Sequence, residues 1–176
     1  IINMLVFFFN GFSVGAGVYI ARYFGAKDDE NLHRTIETTM AATFIFCIAF
    51  TIIGYLGVGP MLEFMSTPED VFSEASVYLK IYFLGISGLL IYNMGSGVLR
   101  AVGNTFYPLL FLIITSVMNI ILDLFFVISL KTGIAGAAYA TIIAQFISAI
   151  LVLILMTGTK EKYRLIWKDL RVERQI

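Results

Sequence analysis

The stretch FYPLLFLIITSVMNIILDLFFVISL, residues 106–130, decides the fold of this 176-residue chain, because it is apolar and long enough to cross a bilayer. Its single charge is Asp123, and no other charged residue occurs between Arg100 and Lys131. At about 1.5 Å of rise per residue, Asp123 lies roughly 10 Å from the Leu130 end of a helix. A carboxyl group at that depth must face protein, water or a bound cation rather than lipid.

Polar residues accompany Asp123 along the same predicted helix. Asn119 precedes it by one turn, and Ser116 and Thr115 lie a further turn back. Residues three and four apart share a helix face, so these groups form one polar stripe on an apolar helix. The stripe predicts a polar binding site inside the membrane.

The composition excludes a soluble domain of this length, since 59% of the residues are hydrophobic, 14% are charged and the net charge is zero. The runs 1–21, 38–62, 81–99 and 132–159 are also uncharged. Each has about the 20 residues that a ~30 Å hydrocarbon core requires, and continuous apolar runs favour helices over barrel strands. We predict an all-α, polytopic membrane helical bundle. Its five transmembrane helices cover approximately residues 1–24, 32–57, 71–102, 106–130 and 133–158.

Few residues suit other chemistry. The single cysteine, Cys47, cannot form an internal disulfide, and the only histidine, His33, lies in a polar loop. No His, Cys or second acid is placed to act with Asp123 in acid–base or nucleophilic catalysis. We therefore expect no enzymatic activity, no cofactor, no structural metal and no nucleic-acid partner; the expected partner is the lipid bilayer.

The remaining helices supply polar groups that could meet Asp123. The segment GVGPMLEFMSTPED, residues 57–70, predicts a break after the second helix.

The third helix carries Tyr78 and also Asn93, which needs a hydrogen-bond partner near mid-membrane. The fourth and fifth helices are antiparallel neighbours across a short turn, so Thr141 should lie level with Asp123; Gln145 and Ser148 follow Thr141 on its helix.

The distribution of Lys and Arg predicts the orientation. One side of the predicted bundle carries ten of them and the other only Lys80 and Lys131. By the positive-inside rule the ten are cytoplasmic, which predicts a multi-pass protein of the cell membrane with a cytoplasmic C-terminal tail. We interpret residues 160–176 as a basic linker or an interfacial helix on anionic lipid. Because Ile1 begins inside an apolar run, we expect the chain to be a fragment of a longer protein.

Three segments resemble the multidrug and toxic compound extrusion (MATE) family, whose superfamily also includes polysaccharide and lipid flippases. They are GFSVGAGVYIARYFGAKDDENLHRT (residues 11–35), YLKIYFLGISGLLIYNMGSGVLRAVGNTFYP (78–108) and NIILDLFFVISLKTGIAGAAYATIIAQ (119–145). They follow one another in the family's order and spacing and cover most of the chain. The combination of LRAVGNT, NIILD and GIAGAAYAT is the most specific part.

The resemblance implies a transporter of twelve helices in two six-helix lobes. The five helices would be the second to sixth of the N-terminal lobe, so the first helix, which bears a further carboxylate in the family, and the second lobe are missing. The family's Asn-x-x-x-Asp pair falls on Asn119 and Asp123, and its Thr falls on Thr141. An Asn and a Tyr of the polar network around that cation site match Asn93 and Tyr78.

The resulting hypothesis is a secondary-active multidrug efflux antiporter, which exports organic, often cationic, drug-like compounds in exchange for H⁺ or Na⁺. Na⁺ would bind at Asp123, Asn119 and Thr141. One alternative is a flippase for a lipid-linked saccharide, which would need Lys or Arg in its cavity. Another is a non-transporting scaffold in which Asp123 only pairs with Asn119 and Thr141. The sequence leaves open the substrate, the coupling ion and the oligomeric state.

Overall fold

The structure is a computed structural model that describes residues 2–166, with side chains from Phe7 onward except that of Phe8. The described residues form helices and no strand, which confirms the all-α prediction. The helices are α1 (Ile2–Ala26), α2 (Asp29–Phe64), α3 (Glu69–Ala101), α4 (Phe106–Asp123), which continues as a π-helix over Leu124–Ser129, and α5 (Gly133–Gly158). Four of them, α2 to α5 with the π-helix counted in α4, are long and apolar enough to cross a membrane.

The helix ends form two groups of opposite character. We call the end with the α1–α2 and α3–α4 turns and the end of α5 the basic end, since seven of the nine Lys and Arg residues in the described part of the chain flank it. The other end, which holds the α2–α3 and α4–α5 turns, is the acidic end. Asp123 lies in the half of the bundle nearer the acidic end, as the sequence predicts.

Helix α3 lies at the centre of the bundle and contacts α1, α2 and α5, whereas α4 packs mainly on α5. Since α3 is covered from three sides, it contributes many fully buried side chains. They include Phe83, Ile86, Leu90, Met94 and Leu99. The polar stripe of α4 therefore faces the groove where α3 and α5 meet.

Glycines on α3 bring its backbone against α5. Gly85 faces the Ile142 side chain, and Gly95 faces Val152, in the same order along both helices, so the two helices run parallel. The tightest backbone approach is at Gly88, where an added Cβ would lie 2.9 Å from the carbonyl carbon of Gln145. Close approach through small residues is the usual basis of helix packing in membranes, where burial of apolar surface gives little driving force.

Helix α2 is longer than predicted. The sequence predicts its end near Gly57, but the helix continues through Pro60 to Phe64. Val58 and Leu62 lie one turn apart and are both buried in the core. Burial of this apolar face offsets the backbone hydrogen bond that Pro60 cannot donate, and the predicted break after residue 57 is therefore wrong.

The start of α2 is fixed by a side-chain cap. The Asp28 carboxylate accepts hydrogen bonds from the backbone N–H of Asn31 at 3.2 Å and from its side-chain Nδ2 at 2.7 Å. These bonds, the side-chain one first, hold the pKa of Asp28 below its usual value. The capped helix begins at Asp29, so only two residues separate α1 from α2.

Residues 159–166, which we call the strap, fold back against the basic end. They form a turn and an extended segment rather than the helix that was one of the two interpretations of residues 160–176; residues 167–176 lie outside the described part of the chain. Tyr163 and Leu165 are buried, and the Leu165 N–H donates to the Met156 carbonyl at 2.9 Å. Lys162 Nζ forms an ion pair with Asp29 at 2.8 Å. The strap thus joins the ends of α5 and α2.

We expect Leu165→Ala to lower the stability of the bundle by about 2–5 kcal/mol, because the substitution leaves a cavity at a fully packed position. Leu165 is 2% exposed, whereas its neighbour Ile166 is 39% exposed, so Ile166→Ala serves as the matched control and should change stability little. The free energy of unfolding in mixed detergent micelles measures both. Equal effects of the two substitutions would show that the strap does not pack on the bundle.

Candidate functional site

The polar stripe of α4 borders a cavity of about 290 Å³ between α3, α4 and α5. α3 supplies Leu89, Tyr92 and Asn93; α4 supplies Leu112, Thr115, Ser116 and Asn119; α5 supplies Thr141, Ala144, Gln145 and Ser148. Because α3 and α5 are held together by the glycine contacts, α4 closes the groove between them. The cavity is therefore a product of three helices that are distant in sequence.

Three of the five predicted site residues, Asn93, Asn119 and Thr141, line this one cavity. Asp123 lies one turn beyond Asn119, toward the acidic end, and is not part of the lining. Its Oδ1 atom is buried and has no hydrogen-bond partner among the described residues, and the same is true of Asn119 Nδ2. The structure thus places an unpaired acceptor and an unpaired donor on successive turns of α4, at the edge of the cavity.

Tyr78 lies outside the cavity lining. Its ring stacks on Tyr82, with 6.3 Å between the ring centroids and 20° between the ring planes. Tyr82 in turn interacts with the side chain of Gln145, which does line the cavity. The described ring contact of Tyr78 is therefore with Tyr82 and not with the cavity lining.

Four hydroxyl groups of the lining donate hydrogen bonds to backbone carbonyls. Thr115, Thr141 and Ser148 donate to carbonyls of their own helices, Phe111, Ala137 and Gln145, at 2.7–3.0 Å. Tyr92 donates to the Pro108 carbonyl at 2.8 Å. A hydroxyl that donates in this way still has oxygen lone pairs to offer. The cavity is consequently rich in acceptors, and its lining includes no Lys, Arg or His.

The site prediction left out Gln145, Ser148 and Tyr92. Gln145 and Ser148 lie four and seven residues after Thr141, so helical spacing alone was a usable signal for them. For Tyr92 the sequence held no such signal, because its hydroxyl is placed by the carbonyl of Pro108 across the α3–α4 turn.

The donor set fits an alkali cation better than a transition metal. Among residues 2–166, no group of three or more His, Cys, Asp and Glu side chains is placed to hold a metal ion. The oxygens of Asp123, Asn119 and Thr141 are instead hard ligands, which suit an alkali cation.

A second cavity, of about 550 Å³, opens at the basic end between the α3–α4 turn, the end of α5 and the strap. It is larger than the first cavity, yet it includes none of the predicted site residues. The unpaired buried atoms of Asn119 and Gln145 belong to residues of the smaller cavity, and we regard that one as the candidate site.

Comparison with known proteins identifies the family. The MatE family model matches residues 1–125, which is most of the chain. The chain belongs to the MatE family. Its similarity extends to the probable multidrug resistance protein YoeA of Bacillus subtilis (strain 168), with 29% identity over 161 residues, which cover 89% of this chain and 35% of YoeA. The chain thus spans about a third of the length of this curated relative.

The solved MATE structures share the fold. An inward-facing multidrug resistance MATE family transporter superposes with a TM-score of 0.87 and 24% identity over 94% of this chain and 38% of that one. An outward-facing conformation of such a transporter also gives 0.87, with 24% identity over 94% of this chain and 37% of that one. The described helices are therefore a MATE-type membrane bundle, and the resemblance inferred from the sequence is confirmed.

Proposed function

We propose that this chain is part of the N-terminal lobe of a secondary-active antiporter that exports organic, often cationic, compounds in exchange for H⁺ or Na⁺. The observation that carries the proposal is the buried, unpaired carboxyl oxygen of Asp123 beside Asn119 and a polar cavity inside an apolar bundle. Because the chain spans about a third of its relatives, the first helix and the second lobe would be supplied by the rest of the polypeptide, and the strap would lead to that lobe from the cytoplasmic side.

Asp123 would act as the coupling group. A charged carboxylate inside the membrane is costly unless a proton or a cation neutralises it. Asn119 and Thr141 offer uncharged oxygens at the same edge of the cavity, since the Thr141 hydroxyl hydrogen is already donated to Ala137. Binding and release of the ion would then bias the lobe between two conformations.

The similarity to inward-facing and outward-facing structures supports movement of the lobe as a unit. Both conformations match this chain with the same TM-score. The arrangement of these five helices is therefore compatible with both states, and alternating access would come mainly from motion relative to the second lobe.

Two alternatives receive less support. A flippase for a lipid-linked saccharide would need cationic donors for phosphate, and the lining of the cavity includes none. A scaffold role would have Asp123 paired with Asn119 and Thr141. Thr141 instead donates to Ala137, and the buried atoms Asp123 Oδ1 and Asn119 Nδ2 have no partner among the described residues.

The test uses the full-length polypeptide in proteoliposomes preloaded with a fluorescent organic cation. A Na⁺ gradient and a pH gradient are imposed separately, with an uncoupler or ionophore that removes each one as the control. We expect either the Na⁺ gradient or the pH gradient to accelerate the loss of dye from the vesicles. Failure of both gradients, with correctly inserted protein, would contradict the antiporter.

A further inference from the structure

Gln145 occupies a particular position in the cavity, because the two ends of its amide group have different surroundings. The amide interacts with the Tyr82 hydroxyl, while its Oε1 atom is buried without a hydrogen-bond partner among the described residues. Oε1 is therefore a buried acceptor that no described donor satisfies.

The backbone beneath Gln145 is also fixed. Gly88 of α3 lies directly against it, so closely that an added Cβ would come within 2.9 Å of the Gln145 carbonyl carbon and 3.0 Å of the Phe146 nitrogen. The main chain that carries Gln145 is thus held in place against α3.

The neighbours of Gln145 determine what such an acceptor could bind. Thr115, Ser148 and Tyr92 line the same half of the cavity, nearer the basic end than Asn119 and Thr141, and their hydroxyl hydrogens point to backbone carbonyls. A buried acceptor left without a donor costs free energy, which a ligand that brings an N–H group would recover. A quaternary ammonium group has no N–H and can make only weaker C–H···O contacts with this oxygen.

The volume limits which part of a ligand can enter. At about 290 Å³ the cavity is at or below the lower end of the range for pockets that enclose a drug-sized molecule. It suits the head group of a larger compound, whose remainder would extend outside the lining that these three helices provide.

We propose that Gln145 forms a head-group subsite that selects protonated amines, which carry an N–H donor, over quaternary ammonium compounds of the same shape. The proposal deepens and rests on the proposed function, because it assigns the substrate class of the same cavity. It adds a role to a residue separate from the ion-coupling group Asp123: the Gln145 Oε1 atom accepts the N–H of the substrate.

The experiment measures equilibrium binding, without any ion gradient, to the full-length polypeptide in lipid nanodiscs. The probes are a fluorescent tertiary amine, protonated at the working pH, and its N-methylated quaternary twin. We expect Gln145→Leu to weaken binding of the amine about tenfold or more, as loss of a hydrogen bond to a charged donor predicts, and to leave binding of the quaternary twin within about twofold. Gln145→Glu, which keeps an acceptor, should retain tight amine binding.

Comparing the binding of the two probes distinguishes loss of the subsite from misfolding of the variant. Equal loss of both ligands in Gln145→Leu would overturn the proposal and indicate a packing role. Unchanged binding of both ligands would overturn it as well. A cavity that holds only a hydrated ion would give this result. Because no gradient is applied, these outcomes are independent of whether Asp123 couples transport to an ion.

Discussion

On the proposed function, Asp123→Asn is expected to abolish ion-driven efflux by the full-length polypeptide while leaving the amount of folded protein in the membrane unchanged. Asparagine has nearly the same volume and remains polar, so the packing around α4 is preserved. It can neither release a proton nor neutralise a bound cation, and the energetic difference between ion-bound and ion-free states is lost. The initial rate of efflux of an organic cation from proteoliposomes should fall to the level of empty vesicles.

Asp123→Glu is the matched control for this substitution, because it retains the carboxyl group at the cost of one added methylene. We expect it to keep measurable ion-dependent efflux, with an altered ion concentration at half-maximal rate. Size-exclusion profiles of all variants establish that the proteins are folded. Normal ion-driven efflux by Asp123→Asn would remove Asp123 from the coupling mechanism.

Gly88→Leu is expected to prevent formation of the bundle. Even the single Cβ of an alanine at this position would lie about 3 Å from backbone atoms of Gln145 and Phe146, and a backbone cannot rotate aside as a side chain can. Overpacking of this kind typically costs about 1–3 kcal/mol for a small addition, so Gly88→Ala should fold with clearly reduced thermal stability. The larger leucine would force α3 and α5 apart along the contact that positions the cavity.

Gly15→Ala provides the comparison for Gly88→Ala. Gly15 also lies within a helix, but a Cβ there meets nothing within 4 Å. Since alanine is the better helix former, this variant should be neutral or slightly more stable. Thermal unfolding of the 176-residue chain in detergent, followed by circular dichroism, ranks the three variants. Equal stability of Gly88→Ala and Gly15→Ala would show that α3 and α5 are not in close backbone contact.

Much of the candidate site followed from counting residues. Asn119 shares a helix face with Asp123 because of its spacing, and Thr141 was expected opposite the α4 stripe because a short turn joins two antiparallel helices. Asn119 and Thr141 do line one cavity. Their role in binding a cation stays a prediction. Spacing did not place Tyr78, because a residue on the predicted helix can point away from the cavity, here toward Tyr82.

The sequence by itself determined that the chain is a bundle of helices for a membrane, with the carboxyl group of Asp123 at membrane depth. The physical reason is local: a bilayer requires about 20 apolar residues per crossing and makes each charge costly, so both features are visible along the chain. Only the tertiary structure decided that α2 continues past Pro60, that the strap packs against the basic end, and that Tyr92 completes the lining of the cavity. Those features depend on the rotation of each helix about its axis and on contacts such as Gly88 with Gln145, which join residues far apart in sequence. Hydrophobic periodicity carries little of that information in helices that are apolar on every side.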